Sequence, residues 1–217
     1  DGDSLVTTID STVQYFLEKN MEDAIEQYDV QNGAFGLVMD VKTGAVLAMA
    51  SLSAYDPNSY GEVYDEDTRA ELAREKSLLS SLSGDAYDTA YQTYLSHVNA
   101  ALLKQWRNSC VSDAYEPGST FKIITLASAL EEGVVHLDDT FYCGGSIKVF
   151  GRTTPIACWK AAGHGSQDTA QALGNSCNCA FANIGIALGG ETFYDYVKAF
   201  GLMSKTGIDL PGESAGV

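Results

Sequence analysis

The stretch "TAQALGNSCNCAFANIGIAL", residues 169–188, is apolar on nearly every side at helical spacing. A helix that is hydrophobic all round has no face to give to water, so it must be buried by the rest of the chain. The remainder can supply that enclosure. With 217 residues, 45% of them hydrophobic and 10% aromatic, there is core material for one large domain or for one and a half small ones.

Other segments read as the enclosing elements. Apolar spacing returns at helical period from Phe121 to Val134. In "TIDSTVQYFLEKNMEDAIEQY", Val13, Phe16, Leu17, Met21, Ala24 and Ile25 share one face, which predicts an amphipathic helix over 10–28 capped by Asp10 or Ser11. "AFGLVMDVKTGAVLAMAS", 34–51, places two apolar runs around a Lys-Thr-Gly turn and predicts a β-hairpin. From 56 to 107 the chain turns polar, acidic and rich in Tyr and Ser, with weak helical periodicity. It reads as an exposed, partly helical insertion at about 58–107, a solvated excursion rather than a binding module.

Charge and hydropathy exclude several classes. A net charge of -16 repels phosphate, so nucleic acid and anionic membrane surfaces are not expected partners. No run approaches the roughly 18–20 apolar residues of a membrane span, and "DGDSLVTTID" lacks the basic-then-apolar layout of a signal peptide. Any anchor or export signal is expected to lie outside this chain.

"YEPGSTFK", 115–122, carries the candidate chemistry. Pro117 suits a helix start, Gly118 allows a tight entry, and Ser119 and Lys122 lie one turn apart on the same side. A serine is a weak nucleophile until a base takes its proton, and burial lowers a lysine pKa far enough for that task. Amides at the helix N-terminus, Ser119's included, favour a developing oxyanion. The same tetrapeptide also suits a serine N-cap followed by a surface lysine.

The company of this stretch resembles the transpeptidase domain of penicillin-binding proteins, especially the monofunctional class B enzymes. "TTID" at 7–10, "GLVMDVKTGAVLAMAS" at 36–51, "YDPN" at 55–58, "YEPGSTFK" at 115–122, "GHG" at 163–165, "NSCN" at 175–178 and "KTGIDLPGE" at 205–213 occur in the family's order. They span nearly the whole chain apart from the insertion. The resemblance implies an α/β (α+β) fold of the penicillin-binding/β-lactamase-like type, an antiparallel sheet flanked by helices with an all-helical part. It treats 1–217 as the N-terminal and middle part of one such domain. It implies Ser119 as nucleophile and Lys122 as general base, with Ser176 as proton relay. Asn178 would hold both Lys122 and the substrate backbone.

The family's third motif, Lys-Thr/Ser-Gly on an edge strand, has two imitations here. Lys42-Thr43-Gly44 is the turn of the hairpin, and Lys205-Thr206-Gly207 belongs to a loop soon after Ser176. Neither is expected to be catalytic. The expectation is that the chain stops before the third motif, with most of the sheet beyond it, in a longer or separate chain.

The resemblance implies a serine D,D-transpeptidase that cross-links peptidoglycan stem peptides ending in D-Ala-D-Ala, and that β-lactams acylate. It implies an extracytoplasmic location at the bacterial cell membrane and partners in a cell-wall synthesis complex. It does not favour a β-lactamase, because "TTID", the hairpin sequence and "KTGIDLPGE" belong to the synthetic enzymes. The other function class is a non-catalytic penicillin-sensing or scaffold module that needs a partner chain.

The cysteines lead to the expectation of a metal. Five of them, Cys110, Cys143, Cys158, Cys177 and Cys179, are an odd number for an exported domain. Cys143, Cys158 and His164 sit in short glycine-punctuated segments able to turn toward one point, and Cys177 lies between Ser176 and Asn178. Three thiolates and an imidazole suit a closed, structural tetrahedral Zn²⁺. These positions also resemble those at which some class B penicillin-binding proteins bind zinc. The competing reading is a Cys143–Cys158 disulfide with Cys177 and Cys179 packed as small hydrophobes.

Overall fold

The computed structural model describes residues 4–31, 33–52 and 55–216. Its contacts divide it into two compact units, Asp1–Asp113 and Ala114–Val217.

The first unit is built on a hairpin. Helix α1 (Ser11–Tyr28) begins at Asp10, whose carboxylate accepts from the amides of Thr12 and Val13. Strands β1 (Phe35–Met39) and β2 (Val46–Ser51) pair antiparallel, Leu37 opposite Met49, with a register irregularity between Val38 and Met39. Two contacts bind α1 to β2. The Asp10 amide donates to Leu47 O at 2.8 Å, and Gln14 exchanges two hydrogen bonds with the Met49 backbone, at 2.9 and 2.8 Å. Val13, Leu17, Met21, Ala24 and Ile25 are half-buried as their spacing predicts. Phe16 is not, being exposed beside Tyr15 in an edge-on ring contact.

The insertion is more helical than its periodicity suggests. After a short 3-10 turn at Pro57–Ser59 come α2 (Glu66–Leu79), capped by Asp65, and α3 (Gly84–Gln105). The two helices pack together, with Leu72, Leu79 and Leu102 among their buried residues, and Glu75 bonds across to His97 at 2.9 Å. So small an apolar share, at three positions in two helices, is hard to see as a periodic pattern. A single turn, α4 (Ser109–Ser112), then lies against the hairpin.

The second unit holds the core. A 3-10 turn, Gly118–Phe121, leads into α5 (Lys122–Glu131). Then follow β3 (Thr140–Cys143), β4 (Ser146–Ile147), β5 (Ile156–Ala157) and β6 (Gly165–Asp168). Antiparallel pairs join β3 with β6 and β4 with β5. Helices α6 (Thr169–Gly174), α7 (Asn178–Leu188) and α8 (Gly190–Ala199) complete it.

The buried helix expected over 169–188 is present but broken. It divides into α6 and α7 at Asn175-Ser176-Cys177, where Ser176 takes a left-handed φ of 48°. Apolar periodicity runs through the break because both halves are enclosed, so the pattern conceals the turn. On one side α7 packs Phe181 and Ile184 against Leu126, Ala129 and Val135. On the other, Cys179 and Ala180 meet Cys143, Cys158, Ala172 and Cys177. Burial of side chains such as Leu126, Phe181 and Ile184 is worth about 1.5–3 kcal/mol each.

Candidate active site

Ser119 and Lys122 meet because the chain enters α5 through a tight turn. Gly118 adopts φ 60°, a conformation that a side chain would strain, and Ser119 follows inside the 3-10 turn rather than on the α-helix itself. One turn on, Lys122 Nζ lies 3.0 Å from Ser119 Oγ.

The break between α6 and α7 supplies the rest. The left-handed conformation of Ser176 points both its carbonyl oxygen and its hydroxyl at Lys122 Nζ, each at 3.0 Å. Asn178, the first residue of α7, contributes Oδ1 at 2.7 Å, and its Nδ2 donates to Ala157 O at 3.0 Å. That second bond fixes which end of the amide faces the lysine. A non-glycine residue in the left-handed region is strained, and such strain collects where function needs a particular direction.

Four oxygens therefore surround one nitrogen. Ser176 O and Asn178 Oδ1 can only accept, whereas the two hydroxyls can also donate. A neutral amine has two N–H groups for the two acceptors and one lone pair for a hydroxyl proton. The electrostatics lean the same way. Burial lowers the Lys122 pKa below that of an ordinary lysine, while the Cys158 and Cys177 thiols oppose the shift. The Phe181 ring, its centroid 5.7 Å from Nζ, forms part of the apolar wall.

Neither Lys-Thr-Gly tripeptide offers an open cradle. Asp40 accepts from the Lys42 amide at 2.9 Å and from Thr43 Oγ1 at 2.8 Å, closing the hairpin turn. Glu213 accepts from Thr206 Oγ1 at 2.6 Å and from the amides of Thr206 and Gly207, closing the later loop. In each, the donors are already spent on a carboxylate of the same loop.

The four predicted metal donors converge. One ligand atom each from Cys143, Cys158, His164 and Cys177 lies within 4.8 Å of all the others, with the three cysteines buried. Backbone packing makes this possible. A Cβ at Gly145 would stand 2.0 Å from Ala161 O, and one at Gly163 2.2 Å from Cys143 O, so only glycines let these two loops touch. Cys158 Sγ is 3.6 Å from His164 Nδ1 and 4.0 Å from Cys177 Sγ. For a tetrahedral cation with sulfur at about 2.3 Å and nitrogen at about 2.0–2.1 Å, the S–N and S–S edges are about 3.6 and about 3.8 Å.

The protonation of this group is uneven. Burial raises the Cys143 thiol, but the amides of Gly145 and His164 and the side chains of His164 and Cys177 outweigh it and bring the pKa to about 6. Burial pushes the Cys177 thiol up, opposed by the Ala180 amide and by the Gln167 side chain. His164 turns Nδ1 toward the Cys158 sulfur, and its Nε2 is buried without a hydrogen-bond partner. All five cysteines are free, so the Cys143–Cys158 disulfide is not formed. Cys177 sits at the cap of α7 in the broken turn rather than within a continuous helix.

Three residues around the Ser176 turn were given no role by the sequence reading. Trp159 Nε1 donates to Asn175 O at 2.9 Å, and its ring meets His164 edge-on at 5.4 Å. Asn175 Nδ2 donates to Gln167 Oε1 at 3.0 Å. An isolated Gln, Asn or Trp carries no spacing signal; only the hidden turn gives them meaning.

The profile of the Penicillin binding protein transpeptidase domain family matches residues 34–217. Stage V sporulation protein D of Bacillus subtilis is 36% identical over 218 residues, covering 100% of this chain and 28% of that protein. Peptidoglycan D,D-transpeptidase PbpA of Mycobacterium tuberculosis is 29% identical over 201 residues, covering 90% of this chain and 36% of that protein. Among solved structures, Pseudomonas aeruginosa PBP2 in complex with WCK 5153 superposes with a TM-score of 0.68 at 23% identity, covering 100% of this chain and 40% of that one. The chain thus spans about a third of the length of these curated relatives, and its fold is that of the transpeptidase domains.

Proposed function

The chain belongs to the penicillin-binding protein transpeptidase family, and from that premise we propose that its second unit carries the acylation centre of a serine D,D-transpeptidase acting on peptidoglycan. The observation that carries this reading is the four-oxygen cage around Lys122 Nζ, with Ser119 Oγ at 3.0 Å.

Ser119 Oγ attacks the carbonyl carbon of the D-alanyl-D-alanine bond while its proton passes to the Lys122 lone pair. The Ser176 hydroxyl, 3.0 Å from the same nitrogen, relays that proton to the departing D-alanine amine as the peptide bond breaks. The acyl group stays as an ester on Ser119. A second stem peptide's amine then attacks the ester and completes the cross-link. Asn178 positions Lys122 through Oδ1. β-Lactams acylate the same serine, and the opened ring leaves slowly. The sensing or scaffold alternative is not favoured, since a relative over 90% of this chain is named as a D,D-transpeptidase.

Zn²⁺ is the metal that the donor set fits: three thiols and one imidazole at near-tetrahedral spacing. Cys143, Cys158, His164 and Cys177 would hold it as a closed site, supplying structural cross-linking and no chemistry of its own. It would tie the loops of residues 143–164 to the cap of α7, beside Ser176 and Asn178. The proposed setting is the extracytoplasmic face of the bacterial cell membrane, within a cell-wall synthesis complex. Among the described residues no helix is long and apolar enough to cross a membrane.

The test is peptide-level mass spectrometry of the full-length protein after incubation with a fluorescent penicillin. The expected adduct is on Ser119. An adduct on another residue, or none in the full-length protein, contradicts the reading.

A further inference from the structure

Gln167 is a buried polar residue that the acylation mechanism does not use. It lies on β6 with 3% of its surface exposed, opposite Phe141 of β3, and the same strand pairs Gly165 with the metal donor Cys143. His164 immediately precedes the strand. Its carbonyl Oε1 accepts from Asn175 Nδ2 at 3.0 Å. Its Nε2 is buried with no hydrogen-bond partner. A primary amide buried with one end satisfied and the other bare needs an explanation, because desolvated N–H groups are seldom left unused. The Cys177 sulfur is a neighbour of this amide, two residues beyond the Asn175 that Oε1 holds. A thiolate bound to a cation still carries charge density that an N–H can meet, and such outer partners orient the ligand.

We infer that Gln167 is a positioning residue coupling the metal centre to the catalytic turn, its N–H supporting the Cys177 sulfur and its carbonyl oxygen holding Asn175. This rests on the zinc and acylation readings proposed above. Asn175 immediately precedes Ser176, and its own carbonyl is held by Trp159 Nε1 at 2.9 Å. The Ser176 amide is tied back to Leu173 O at 2.9 Å and the Cys177 amide to Ala172 O at 3.0 Å. The left-handed Ser176 is thus clamped from both sides; Trp159 reaches from that clamp to the His164 ring by an edge-on contact at 5.4 Å, and Gln167 is the clamp residue with a spare N–H to offer a metal-donor sulfur. Through it, order at the metal centre sets the direction of the Ser176 carbonyl and hydroxyl toward Lys122.

Two measurements on the full-length protein separate the two ends of this amide: zinc affinity, by competition with a chromophoric chelator, and acylation by a fluorescent penicillin, resolved into drug binding and limiting rate. Gln167→Glu keeps an oxygen for Asn175 but deletes the N–H at Cys177, and zinc affinity is expected to fall about 10- to 100-fold. Gln167→Leu loses both ends; zinc affinity falls similarly, and the limiting acylation rate drops about 10- to 100-fold with drug binding little changed. Asn175→Ala lowers the limiting rate while zinc affinity stays within about twofold, well below the roughly 10- to 100-fold loss expected when an outer partner of a ligand is removed. If the parental protein binds zinc and both folded Gln167 variants bind it equally well and acylate at the parental rate, the coupling is overturned alone. A parental protein that binds no zinc overturns the metal reading first, and the coupling with it.

Discussion

Ser176 presents two of its own atoms to one partner: its carbonyl oxygen and its hydroxyl each stand 3.0 Å from Lys122 Nζ. It does so from a left-handed backbone, φ 48°. Ser176→Gly should therefore preserve the turn and the carbonyl contact while deleting the relay hydroxyl. Its melting temperature is expected to match or exceed the parental value, with acylation reduced by about 10²–10⁴-fold. Parental acylation in this variant would remove Ser176 from the proton path.

That turn also marks where sequence reading ended. Ser119, Lys122, Ser176 and Asn178 were legible because a motif fixes residue types at fixed offsets, and α1 and the hairpin because one face of each is apolar. The break in 169–188 was not, since enclosure makes both of its halves apolar and the period carries through Ser176. Phe16 satisfied the periodic pattern yet stands exposed. The acidic insertion hid two helices because so few of their positions face a core. The roles of Gln167, Asn175 and Trp159 were invisible for a related reason: they depend on a turn that no local pattern announced.

The closed loops of the two Lys-Thr-Gly tripeptides lead to a second expectation. With Asp40 and Glu213 occupying their donors, Lys42→Ala and Lys205→Ala in the full-length protein should leave acylation within a few-fold of the parental rate. A fall of several orders of magnitude at Lys205, in a variant with parental circular dichroism, would place that loop in the substrate cleft.

Protein purified without added metal should contain about one equivalent of zinc, since one cluster of four candidate donors stands among the described residues. Chelation should lower the melting temperature and the acylation rate together, because the same loops hold the metal donors and the Ser176 turn. Cys110→Ser and Cys179→Ala should retain the metal. Well under one equivalent, accompanied by a mapped Cys143–Cys158 disulfide, would retire the zinc assignment.

The pH dependence has a definite sign. In the proposed mechanism Lys122 can accept the Ser119 proton only as the neutral amine, so acylation should rise with pH and level off above the Lys122 pKa. Burial lowers that pKa, so the midpoint should lie below the ordinary lysine value of about 10.4. A midpoint at the ordinary value, or a rate that does not rise with pH at all, contradicts a buried lysine base.

The central claim is that Lys122 deprotonates Ser119, and the most direct measurement is the second-order acylation rate of full-length Lys122→Ala by a fluorescent penicillin, beside Ser119→Ala. Ser119→Ala should form no adduct. Lys122→Ala should retain the fold and lose about 10²–10⁴-fold in rate, the share a positioned general base contributes. Acylation of a folded Lys122→Ala protein at the parental rate would show that another group takes the proton.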